Sequence, residues 1–407
     1  MVRSWIPAGK ISLNRRSGFG EFGTSDPWKD AISGERRCCR SNGMRLIALS
    51  MTIHIPADAL TDFCAEIFAC VGCEPQEAGR VSASLVDANL TGHDSHGVIR
   101  TPRYVDWVRT GDLIPNQSIE RVVDTPVIGV VDGRFGFGQT MAPMAVDIGV
   151  EKAKATGLSA ISLRNSGHVG RVGEWAERAA AAGLISIHFV NAAGSILVAP
   201  FGGLERRLST APFCVGVPRE GAPPVVLDFA TSLVAEGKVN VASHGGKPLP
   251  PDALIGPDGA FSGDPSLIYG PLTSEGTRDH KQGAGAMRAF GEHKGSGLAL
   301  LCELLGGSLT GNGATEPDRK FANGMFSLYL DPKRIDPSHV FDADMTRYLD
   351  WFSQGKAIPG EAILTPGEPE RASRAKRAQS GVPLPDEAWA LIKATARGVG
   401  VNRDLSF

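Results

Sequence analysis

The stretch GFGEFG, Gly18 to Gly23, is a literal G-x-G-x-x-G, and its reading decides which fold the chain can have. That spacing cradles a pyrophosphate only where a strand runs into the first glycine and a helix leaves the last. Here the flanks, RSWIPAGKISLNRRS and TSDPWKDAISGERRCCRSNG, are rich in Arg, Gly and Ser and carry neither period. The match is therefore read as chance. The other G-x-G pairs, beginning at Gly136, Gly283, Gly295, Gly311 and Gly398, lack the third glycine, so an ordinary Rossmann unit is not expected.

Residues 1–50 as a whole are aperiodic and hold no apolar run fit for a secretory signal. They are expected to be disordered, and Met51, directly before the patterned TIHIPADAL, marks an alternative start. Beyond them the composition is that of an ordinary globular chain: 407 residues, 42% apolar, formal net charge −2. Balanced charge leaves no broad basic face for nucleic acid or an anionic membrane, and runs such as GLALLCELL are too short to span a bilayer. Seven cysteines, an odd set mostly in helix-like segments, suit free thiols in a cytoplasmic protein. CVGC, Cys70 to Cys73, has no second pair at zinc spacing and reads as helix cysteines.

Three segments follow. From residue 51 to 125 the chain is helical: Leu60, Phe63, Cys64, Ile67 and Val71 share one face, and a second helix, EPQEAGRVSASLVDANL, ends near Leu90 with Gly92 as its stop. Over 126–331 the β-branched runs PVIGVVDG, LSAISLRNS, LISIHFVNA, PPVVLDFA and MFSLYLDP alternate at first with helices, predicting a mixed α/β domain. Within it, residues 273–289 read as a flexible surface insertion. The tail, 332–407, predicts helices at PERASRAKRAQSG and PDEAWALIKATARGVG, with charged faces most simply solvated or else packed back on the N-terminal helices.

The chemistry gathers on turns. GHDSHGVIR, Gly92 to Arg100, sits between two helices, so its side chains can face a cleft. An unperturbed histidine titrates near neutrality, so His96 suits general acid/base work, while the planar guanidinium of Arg100 suits a substrate carboxylate. Ser95 and Asp94 are candidates to orient His96. His93, Asp94 and His96 could instead hold a metal, which would make the chain a hydrolase, although the turn breaks helical register and no third ligand cluster is evident. Further on, NSGHVGRVGEWAERAAAAG leaves a strand and opens a helix, offering the N–H groups of Gly170, Arg171 and Val172 to a phosphate or an amide. Asp228 ends a buried strand, and His293 and Lys294 stand before a glycine-rich helix start. Lys294 and Lys238 fit phosphate or ribose contacts and equally solvated charges.

Taken in order, ANLTGHDSHGVIRTPRYV, NSGHVGRVGEWAE, LVAPFGG, PVVLDFATSLVAEGKV, FGEHKGSGLALLCELLGG and LTPGEPE resemble the type-2 malate/L-lactate dehydrogenase family of NAD(P)-dependent oxidoreductases, over residues 53 to 400. GEHKG and LTPGEPE point to its hydroxycarboxylate dehydrogenase B branch. The resemblance implies a non-Rossmann α/β fold: a mixed-sheet cofactor domain, a mainly helical domain built from the N- and C-terminal segments, and a homodimer. It further implies reversible reduction of a 2-oxo acid to a 2-hydroxy acid with NAD or NADP, His96 exchanging the proton and Arg100 holding the carboxylate. Cyclic-imine carboxylate reduction and ureidoglycolate oxidation are the alternatives within the family. By the same resemblance His96, Gly170, Arg171, Val172, Val226, Leu227, Asp228, Phe229, Ala230, His293, Asn323, Gly367, Glu368, Pro369 and Glu370 are cofactor contacts, with no metal. Ser296, where many members carry an aromatic residue, and the 273–289 insertion depart from the pattern.

Overall fold

The computed structural model describes residues 52–403 and 405, apart from 244–246 and 273–279. The expectation of disorder over 1–50 lies outside them. Strand β1 (Thr52–Ile55) leads into helices α1 (Ala57–Cys70), α2 (Pro75–Leu90) and α3 (Thr101–Thr110). The order is then β2 (Glu120–Asp124), β3 (Ile128–Asp132), α4 (Gly138–Thr156), β4 (Leu158–Ser166), α5 (Val172–Ala181), β5 (Ile185–Ala193), β6 (Phe213–Val217) and β7 (Val225–Phe229). An excursion holds α6 (Glu236–Ser243), β8 (Leu254–Ile255), β9 (Phe261–Ser262), α7 (Ser266–Tyr269) and β10 (Ala286–Met287). Helix α8 (His293–Cys302) runs on into a π-helical stretch (Glu303–Leu309), and β11 (Ala322–Leu330) follows. The chain then forms α9 (Pro332–Ile335), α10 (Phe341–Ser353), α11 (Glu368–Ser380), β12 (Val382–Pro385) and α12 (Asp386–Gly398).

The main sheet has the order β2-β3-β4-β11-β5-β6-β7. Only β3 and β4 run parallel, joined across α4. The other pairs are antiparallel, and β11 enters between β4 and β5 from far along the sequence. This is a mixed sheet with no doubly wound parallel half, in keeping with the missing glycine fingerprint. Strand β2 belongs to it, although the chain up to 125 reads as helical; its exposed residues, ERVVD, give no burial alternation to detect.

Three large apolar cores among the described residues organise these elements, beside a small cluster of Ala199, Ile255 and Ala286. One joins Phe63, Phe68, Leu85 and Tyr104 of the first helices to Val382, Leu384, Trp389 and Ile392 near the C-terminus, so the two ends of the described chain share a core. Pairing of β1 with β12, Ile55 opposite Val382, clasps them. The second packs α4 and α5 on the main sheet. The third joins the excursion to Leu197, Val198 and Leu208 before β6 and to Ala299 and Cys302 of α8, and contains Met287 and Ala289, both buried. The surface insertion expected over 273–289 is thus corrected for its last residues, which form β10 against β8; residues 273–279 lie outside the description. Short, interrupted apolar runs hid this small core.

Candidate active site

Helix α2 ends at Leu90, Gly92 takes φ +87°, and residues 94–96 and 98–100 form two single turns of 3₁₀ helix before α3. Asn89 hangs this loop: its Oδ1 accepts from the Val98 N–H at 2.8 Å and its Nδ2 donates to Asp94 at 2.7 Å. The loop backbone lies so close that a Cβ on Gly97 would stand 2.1 Å from the Asn89 Oδ1.

His96 faces His168, which sequence reasoning passed over inside NSGHVGR. Their rings stack at 7°, with His96 Nδ1 3.3 Å from His168 Nε2. His168 Nδ1 lies 2.6 Å from the Tyr104 hydroxyl, and that hydroxyl accepts from Gln139 Nε2 at 3.1 Å. With Gln139 donating, the phenol donates to His168, whose Nε2–H donates to His96 Nδ1. The proton of His96 then rests on Nε2. Burial, then Arg100, His93 and Arg171, hold His96 down to about 3, and burial with His96 and Arg100 holds His168 well below its usual range. Both rings are neutral at pH 7 in the free protein.

Arg100 is half-buried. Its Nε donates to the Ser95 carbonyl at 2.6 Å and its Nη2 lies 3.6 Å from Glu236 Oε2. Asp94, expected to orient His96, pairs instead with Arg377 at 2.6 Å. Ser95 contributes its carbonyl and the close approach of α6, not a bond to His96. His93 pairs with Glu370 at 3.3 Å, holding that carboxylate below its usual range. His93, Asp94 and His96 therefore turn to three different partners, and among the described residues no His/Cys/Asp/Glu group is placed to hold a metal ion.

The residues expected around a cofactor divide. Gly170, at φ +72°, and Val172 lie at the start of α5, where the Gly173 N–H already bonds Asp228 at 2.7 Å. The Arg171 side chain is turned inward, 1% exposed, onto Glu177 and Asp87; only its backbone is available. Val226 to Ala230 form and follow β7, the last strand of the sheet, and the Val226 N–H bonds Pro366, which brings Gly367, Glu368, Pro369 and Glu370 alongside. Phe290 packs on Phe229 and bonds Thr231, setting exposed His293 at the start of α8 beyond the end of β7. Asn323 is buried, with one side-chain end on the Val169 N–H and the other on the Asn191 carbonyl. It braces the His168 turn from behind.

A part-buried histidine pair lies beside an arginine at the end of the inner strand β4, an arrangement with the groups to move a proton at an anionic small molecule. The family model for malate/L-lactate dehydrogenases matches residues 55–393, and the chain belongs to that family. It is 38% identical over 356 residues to hydroxycarboxylate dehydrogenase B of Escherichia coli strain K12, covering 86% of this chain and 95% of that protein. The L-lactate dehydrogenase of Cupriavidus necator is 32% identical over 331 residues, 80% of this chain and 91% of the relative. The structure of malate dehydrogenase from Pyrococcus horikoshii OT3 superposes with a TM-score of 0.74 at 28% identity, covering 86% of this chain and 97% of that one.

Proposed function

We propose that the protein interconverts a 2-oxo acid and a 2-hydroxy acid with NAD or NADP, His96 exchanging the proton at the C2 oxygen and Arg100 binding the carboxylate. The observation that carries the reading is the His96–His168–Tyr104–Gln139 chain beside Arg100.

The groups at hand fit a dinucleotide. Gly367, at φ +94°, leaves open a place where a Cβ would stand 2.8 Å from Arg371 Nη1 and 3.4 Å from Val226 N. His293 and Lys294, which open α8, are exposed, and the helix carries no side-chain cap. Backbone at Gly170–Val172, the Val226–Ala230 strand, His293 and the Gly367–Glu370 turn would hold it, and it would supply or accept the hydride at C2. A substrate carboxylate on Arg100 cancels part of the repulsion that keeps His96 neutral, which raises its proton affinity as substrate binds. In the oxidising direction His96 takes the hydroxyl proton on Nε2 from the opposite tautomers of the pair, with His96 Nδ1–H donating to His168 Nε2 and His168 Nδ1–H donating to the Tyr104 hydroxyl.

Leu300, Leu301 and Leu304, exposed side by side on α8 and its π-helical continuation, support a homodimer. No helix among the described residues is long and apolar enough to cross a membrane. The unpaired described cysteines fit a cytoplasmic setting. A second reading, reduction of a cyclic imine carboxylate, is favoured by 30% identity over 342 residues to the Δ1-pyrroline-2-carboxylate reductase of Ancylobacter novellus.

The test is oxidation of NADH and NADPH, followed by absorbance, with pyruvate, phenylpyruvate, oxaloacetate, 2-oxoglutarate and a cyclic imine carboxylate, with and without chelator. Chelator-resistant turnover of a 2-oxo acid is expected. Turnover of the imine alone would replace the main reading by the second.

A further inference from the structure

Helix α6 starts with Glu236 against the catalytic loop. Gly237 makes the approach possible: a Cβ there would stand 2.4 Å from the Ser95 Cβ. Glu236 Oε2 lies 3.6 Å from Arg100 Nη2, and Oε1 accepts from the Tyr269 hydroxyl at 2.7 Å. Tyr269 is 3% exposed, within the core of the excursion. Swinging Glu236 away would strip a buried phenol of that bond, so the carboxylate stays beside the guanidinium.

We propose that Glu236, tethered by Tyr269, sets the charge preference of the Arg100 clamp, favouring 2-oxo acids with one negative charge over those with two. The inference rests on Arg100 receiving the substrate carboxylate. With His96 and His168 neutral, Arg100 and Glu236 together carry no net charge. A monoanion takes the site to −1, whereas a second carboxylate only a few bonds away adds a like charge within the Debye length of about 8 Å and in a half-buried place where screening is weak. The excursion therefore reaches the chemistry through Glu236, which the Tyr269 hydrogen bond holds in place.

The experiment compares kcat/KM for oxaloacetate and for pyruvate in the wild type, Glu236→Gln and Glu236→Asp. Removing the charge in E236Q is expected to raise the oxaloacetate-to-pyruvate ratio about tenfold, mainly through KM, while Glu236→Asp keeps the wild-type ratio. Should E236Q not fold, Glu236→Ala provides the same reading. A merely structural role would lower both substrates together and leave the ratio unchanged, and that result overturns the inference while the proposed function stands. A wild type silent with every 2-oxo acid would instead overturn the reading of the site, and the inference with it.

Discussion

At the residue scale, His96 and Arg100 were legible because they share one short turn, but the partner of His96 was not. His168 is 72 residues away, and nothing local links the two. The available signal was a histidine set between Gly167 and Gly170 where a strand opens into a helix. Asp94 misled by adjacency: two residues from His96 in sequence, it points to Arg377. His96 lies on the proposed reaction path and His168 positions it, so His96→Asn and His168→Asn are each expected to cut turnover by about 10²- to 10⁴-fold while NADH affinity, read by fluorescence titration, changes little. Tyr104→Phe, which loses the hydroxyl's bonds to His168 and Gln139 but keeps both rings in place, should cost less. Equal loss of NADH binding in the histidine variants would make the pair structural.

At the element scale, strands such as β4 and helices such as α2 followed from apolar period and glycine stops. What they are for did not. The basic face of α11 reads either as solvated charge or as a surface packed back on the N-terminal helices; Arg374 binds Asp87 near the end of α2, and Arg377 binds Asp94 in the His96 loop. A helix near the C-terminus thus braces a loop near the start of the described chain. The same loop depends on the close contact between Gly97 and Asn89. Gly97→Ala should destabilise the fold by about 1–3 kcal/mol through overpacking, lowering Tm, and should depress turnover further by displacing His96. A variant with wild-type Tm and turnover would show that the contact relaxes at no cost.

At the scale of the whole molecule, buried neutral histidines make the fold acid-sensitive. His188 is wholly buried in the sheet between Ser327 and Ser186, and burial holds it down to about 3. The unfolded chain takes up that proton near pH 6.5 and the folded chain only near 3, so stability is intact above 6.5 and falls as the pH drops between those values. The loss from His188 alone is about 2 kcal/mol at about pH 5. His96 adds to it in the same direction. His188→Gln should lower stability at pH 7, where it gives up good hydrogen bonds, and flatten the fall toward pH 5 in denaturant titrations. Parallel curves for variant and wild type would remove His188 as the cause.

The sequence by itself determined the class of fold, the loop that carries His96 and Arg100, and the family, because periodicity, turn residues and motif order are local properties written along the chain. Only the tertiary structure decided that β11 lies between β4 and β5, that His168 and Tyr104 line up behind His96, that Asp94 pairs with Arg377, and that Glu236 stands against Arg100. Each joins residues distant in sequence, and their proximity is set by which apolar faces share a core, a choice that no local pattern encodes.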